Sequence, residues 1–290
     1  MEEKLAPPTR HRPAAIIFAA LVCTVGVRSQ DAGVDARARS AIEQMHAAYK
    51  SLDALHIKVT WTAKYSGSMS RDDFPLPGPN ALELRMQRPN KFYMEASAKG
   101  DDGKPTRYLI VSDGTNLWHW RSAPNTYTQL AAPATLPDLA RLLPDDAIGT
   151  FDGVTWTVDS IFEWNLLVDE VATMKSIAES GMAVTLGAPK KIGNTAVDVV
   201  QLKSPPASPM MPIATEITYY LSASSHLIQG CLLTVRGKNE DTGKDFSVTM
   251  RAVYDVLETQ PRFTATDFAF TPPRGAKQVD ATRKDRKPSQ

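Results

Sequence analysis

Apolar residues recur every three or four positions from Ala38 through Ile42, Met45, Tyr49 and Leu52, with Ala41 and Ala48 beside them. This spacing predicts an amphipathic helix that starts near Asp35 and has an apolar stripe to cover. The period then drops to two. Ile57, Val59, Trp61, Ala63 and Tyr65 alternate with His56, Lys58, Thr60, Thr62 and Lys64, which predicts a strand with one dry and one wet face. After a Pro- and Gly-rich loop over 74–80, the same alternation returns in Leu82, Leu84 and Met86. It appears again in Phe92, Met94 and Ala96, beyond a turn at Arg88-Pro89-Asn90. Two further runs, 108–112 and 117–120, flank Asp113-Gly114, a strong short-range hairpin signal, and 126–130 adds one more strand.

The middle of the chain changes period. Residues 136–143 predict a short helix ended by Pro144. Ile161, Trp164, Leu167, Val168, Val171, Met174 and Ile177 form a longer stripe at helical spacing. Strands resume over 196–202, 216–221, 227–236 and 246–255, interrupted by a Pro-rich linker at 205–212. About ten antiparallel strands with few helices must curl on themselves or pack on those helices. The predicted class is α+β: a curved antiparallel sheet with the N-terminal helix and the mid-chain helices as candidate lids. The lid positions are Ile42, Met45 and Tyr49 on the first helix and Leu167, Val171 and Met174 on the later one.

The N-terminal segment holds Lys4, Arg10 and Arg12 ahead of an apolar run over 14–27, the order of a secretory signal, with cleavage expected near Ser29. The run is shorter than the roughly 20 apolar residues that span a bilayer. Cys23 raises the question of lipid attachment, but Val22 is not the small residue that such signals want before the cysteine. Loss of the leader leaves Cys231 alone in an apolar stretch, where a buried small hydrophobe is the expected role. The expected organisation is a signal over 1–29, one domain over 30–280 and a disordered basic tail over 281–290, in a periplasmic monomer.

The 33 Lys and Arg nearly balance the 32 Asp and Glu, so no global field would attract nucleic acid or an acidic membrane surface. The five histidines are scattered, without the spacing of a zinc-binding helix. His119, between Trp118 and Trp120, is expected to face solvent. No nucleophile elbow, phosphate-binding glycine loop or metal-spaced cysteine pair is present in the sequence. The acidic pairs at 72–73, 101–102 and 145–146 read as solvated turns. Catalytic residues, metal and cofactor are therefore all expected to be absent.

Three segments, Arg88-Pro89-Asn90-Lys91-Phe92, the run from Leu109 to Trp118, and Phe268-Ala269-Phe270-Thr271-Pro272-Pro273-Arg274-Gly275, follow an amphipathic helix in that order. Together they resemble the periplasmic lipoprotein carriers of the LolA/LolB type, and the second half is similar to exported proteins of the DUF2092 type. The resemblance implies an incomplete β-barrel closed by the N-terminal helix and mid-chain lid helices, with an apolar concave face that takes up acyl chains, and acyl lipid or lipoprotein as ligand, with envelope membrane proteins as further partners. It also implies a latch in which Arg88 hydrogen-bonds the backbone of the lid helices. A surface arginine before a turn proline is the alternative at that position. Cavity residues expected on this basis are Trp61, Leu84, Met86, Phe92, Met94, Leu109, Val111, Trp118, Trp120, Ile217 and Tyr219. The chain is longer than a carrier, with extra sequence at 74–79, 138–175 and 205–212. A side-chain-filled barrel serving as an envelope interaction or structural module is the competing reading, since such residues suit a core equally well.

Overall fold

The computed structural model describes residues 34–68, 81–99, 105–142, 149–151, 154–156, 182–204, 213–239 and 242–280. The expected signal, the later lid stripe with Leu167, Val171 and Met174, and the basic tail lie outside the described residues.

Helix α1 (Ala36–Lys50) starts at the N-cap Asp35, whose carboxylate accepts the Arg37 amide at 2.8 Å. Its buried stripe is Ala38, Ala41, Ile42, Met45, His46 and Tyr49. The chain then enters β1 (Ala54–Gly67), β2 (Ala81–Gln87), β3 (Lys91–Lys99), β4 (Pro105–Asp113), β5 (Asn116–Arg121) and β6 (Thr126–Ala131). Helix α2 (Leu136–Leu142) follows, and then a separate two-stranded pair, β7 (Gly149–Phe151) and β8 (Val154–Trp156). The second arm is β9 (Ala183–Leu186), β10 (Lys190–Ile192), β11 (Thr195–Lys203), β12 (Ile213–Ser222), β13 (Ile228–Lys238) and β14 (Asp245–Glu258). The short 3-10 turn η1 (Ala265–Phe268) and β15 (Lys277–Gln278) close the chain.

Thirteen strands join one curved sheet that stays open. Its path is β10-β11-β12-β13-β14-β1-β2-β3-β4-β5-β6-β15, with β9 pairing β11 beside it. The pairing of β1 with β14 joins the two arms, and both strands are 14 residues long. A bulge between Lys58 and Val59 adds local bend and twist. All pairings in the large sheet are antiparallel except that of β15 with β6.

Two flanking segments cover sheet edges. Lys277–Gln278 pairs in parallel with β6, while Val34 bridges Val184 of β9 and the Asp35 amide donates to the Val184 carbonyl at 3.0 Å. Unpaired edge groups are thereby partly satisfied.

One apolar cluster joins α1 to the inner faces of both arms, from Ile110 and Leu117 on one side to Val200, Leu221 and Ile228 on the other. Leu136 and Leu139 of α2 complete it, both fully buried. A second cluster, Val235, Phe246, Val248 and Met250, lies at the far end of β13 and β14.

Candidate ligand-binding face

Register fixes which side chains look inward. Leu55, Ile57 and Val59 of β1 stand beside Met86, Leu84 and Leu82 of β2, and these beside Phe92, Met94 and Ala96 of β3. In the other direction Trp61 faces Ala252, which faces Cys231, which faces Tyr219. The next row runs Met250, Leu233, Ile217 and Leu202.

The two halves of this face differ in cover. Leu84, Met86, Phe92 and Met94 are at most 1% exposed, sealed in the cluster that includes α1 and α2. Trp61, Tyr219 and Leu233 are only half-buried, and Trp61 and Leu233 pack on both apolar clusters. They form an apolar strip between two closed regions. Of the expected cavity residues, Leu84, Met86, Phe92 and Met94 fall in the sealed half, Trp61 and Tyr219 on the strip, and Ile217 is buried beside it. Ile42, Met45 and Tyr49 are buried on α1, where the Tyr49 hydroxyl accepts the Ile228 amide at 3.4 Å.

The expectation for Leu109, Val111, Trp118 and Trp120 is corrected: all four point to the outer face. Register places Ile110 beside Met94 and His119 beside Ile110, so their neighbours in sequence look outward. The run Leu109-Ile110-Val111 is apolar at every position and therefore carries no phase of its own. His119, expected in solvent, is buried inward at 4% exposure.

The outward residues are not wetted, because residues 259–280 cross the outer face as a strap. Phe270 stacks on Trp118 with ring centroids 5.7 Å apart and meets Tyr127 at 5.5 Å. Phe268 is 1% exposed and packs edge-on against Phe263 at 5.0 Å. The Trp120 indole donates to Asn125 Oδ1 at 3.0 Å, and the Asn125 amide donates to the Arg274 carbonyl at 3.4 Å. The Phe-Ala-Phe-Thr-Pro-Pro segment was the available sequence signal for this second dry layer.

A polar network ties the strap to the sheet. His56 lies 3.0 Å from Glu83 and 3.4 Å from Glu258, at the start of the strap. Arg85 donates to Glu83 through Nε at 2.8 Å and Nη2 at 2.6 Å, and reaches Asp267 of η1 at 3.7 Å. Burial raises the Glu83 pKa, but hydrogen bonds from Arg85 and His56 and the charges of Arg85 and Lys58 outweigh it, so the carboxyl sits below its ordinary value. Asp267 is also lowered, first by the backbone amide of Thr264 and then by its hydroxyl. Arg85 stacks over Tyr93, 4.5 Å from the ring centroid. Burial, then the hydrogen bond to Glu95, pushes the Tyr93 phenol up.

Arg88 stands where β2 ends. Its Nε donates to the Leu52 carbonyl at 2.9 Å and its Nη2 to the Lys50 carbonyl at 3.3 Å, at the C-terminal end of α1. Its own amide donates to Asp53 O at 2.8 Å. The turn is held from the other side as well. Asn90 Nδ2 donates to the carbonyls of Gly114 and Pro133 at 3.0 and 2.8 Å, and the Leu136 amide of α2 donates to Pro89 O at 3.0 Å. Among the described residues no group of three or more His, Cys, Asp or Glu is arranged to hold a metal ion.

Residues 38–179 match the model of a family described as "Predicted periplasmic protein (DUF2092)", in agreement with the exported location expected from the N-terminal segment. No curated protein matches the chain. Among solved structures, the lipoprotein LppX of Mycobacterium tuberculosis is similar at 13% identity and a TM-score of 0.36, over 78% of this chain and 100% of that one. LprF of Mycobacterium bovis is similar at 14% identity and 0.36, over 79% and 98%. The MucA/MucB complex of Pseudomonas aeruginosa is similar at 13% identity and 0.33, over 81% and 62%.

Proposed function

We propose that the protein is an exported, non-catalytic binder of acyl chains, presented as free lipid or on a lipoprotein, and that the chains lie along the half-open part of the inner face. The observation that carries this reading is the half-buried strip of Trp61, Tyr219 and Leu233 between two closed apolar clusters. An adaptable aromatic and aliphatic surface of this kind gains free energy from any apolar chain that removes it from water, at about 25 cal/mol per Å² covered. Arg88, by holding the last carbonyls of α1, fixes the helix that walls the sealed half.

A second reading also has an observation behind it. Leu84, Met86, Phe92 and Met94 are at most 1% exposed, as in a core filled by its own side chains, and this favours an envelope interaction or structural module.

Native mass spectrometry on the mature protein from an envelope fraction, followed by titration with a fluorescent fatty-acid probe, separates the two. Co-purified acyl lipid that the probe displaces is the expected outcome. A clean apo mass with no probe binding would establish the module instead.

A further inference from the structure

The inner face is segregated by charge as well as by polarity. Over β1, β2, β3, β12, β13 and β14, every inward position that the register defines holds an uncharged side chain. The charged residues of these strands, among them Lys64, Glu83, Arg85, Glu216, Arg236 and Arg251, occupy the alternate, outward positions. Among the remaining strands the register puts Arg121 of β5 beside Tyr108, Lys277 of β15 beside Thr126 and Lys191 of β10 beside Ala196, none of them opposite or diagonal to a strip residue, while Asp198 of β11, opposite Leu221 and diagonal to Tyr219, adds an anion and no cation.

Resting on the acyl-chain reading above, we infer that the strip accepts only an uncharged segment, so that a chain enters by its methyl end and a charged head stays outside. A carboxylate or phosphate laid against Trp61, Leu233 and Tyr219 would lose its hydration and find no cation among the inward side chains of the six strands. That loss is far larger than the gain from a few covered methylenes. A neutral ester or a hydrocarbon chain meets no such penalty.

Two competitors of equal length test the inference. Hexadecanoate carries a charge at one end at pH 8, hexadecanedioate at both. Each is titrated against a fluorescent 16-carbon fatty-acid probe on the full mature chain. Hexadecanoate is expected to displace the probe at least ~10-fold more effectively, because the second carboxylate of the diacid must enter the neutral strip. Methyl hexadecanoate is expected to compete as well as hexadecanoate or better. Leu233→Lys, which puts a cation on the strip, should narrow the gap between acid and diacid. Leu232→Lys, the adjacent outward position, should leave it unchanged. Equal competition by acid and diacid on the unmodified protein would overturn the inference while leaving acyl binding intact. Absence of probe binding would remove the acyl reading itself. Because the unmodified protein decides the question, a Leu233→Lys variant that fails to fold does not blunt the test.

Discussion

Glu83 is the residue on which the outer-face network converges: His56, Lys58 and Arg85 all reach it. Its carboxyl titrates below the ordinary 4.5 in the folded protein. A lowered folded pKa contributes stability that is complete above the unfolded value and is lost as pH falls through the folded one. The strap should therefore loosen below about pH 4.5, with Asp267, also lowered, acting in the same sense. Tryptophan emission followed from pH 7 to 2 reports this through Trp118 under Phe270. Glu83→Gln is expected to flatten the acid limb, and an unaltered limb would show that the network does not hold the strap.

At the scale of elements, α1 is fixed to the sheet at both ends, by Asp35 on β9 and by Arg88 at the end of β2. Guanidinium donors at a helix C-terminus meet both unsatisfied carbonyls and the negative end of the helix dipole. Arg88→Leu removes two charge-assisted hydrogen bonds and is expected to cost about 1–3 kcal/mol. In a domain of this size that lowers the thermal midpoint by roughly 2–12 °C, as measured by circular dichroism. Arg88→Lys should recover less than half of the loss, since a single ammonium cannot reproduce the fork. A midpoint unchanged in Arg88→Leu would reduce Arg88 to a surface residue before a turn proline.

At the scale of the whole molecule, the open sheet separates Trp61 on the inner strip from Trp118 and Trp120 on the outer face, with Trp118 beneath the strap. An acyl chain on the inner face must perturb the first and spare the second. With Trp61→Phe and Trp118→Phe variants, the probe-induced emission change should fall sharply in the former and persist in the latter. The reverse pattern would move the binding surface to the outer face and defeat the placement proposed above.

Much of this architecture was legible in the chain alone. The helix that begins at Asp35, the alternation in β1 to β3, the turn at Arg88-Pro89-Asn90, the Asp113-Gly114 hairpin and the strands of the second arm follow from local periods and turn chemistry, which act over a few residues and leave their mark in order. The sealed-half residues Leu84, Met86, Phe92 and Met94 were assigned to the inner face because their outward neighbours are polar. Facing was lost where that contrast fails. Leu109 and Val111 lie in a run apolar on both sides, Trp118 and Trp120 alternate with a His119 that is itself buried inward, and the outer side is dry only because the strap crosses from β14 to β6, 149 residues separating Asn125 from its partner Arg274. Contacts so distant leave no period in the sequence. Tertiary structure alone also decided that His119 turns inward and that part of the inner face is sealed while the Trp61 strip is not. Each of these depends on which distant segment covers a face, whereas the pattern along a strand records only that the face must be covered.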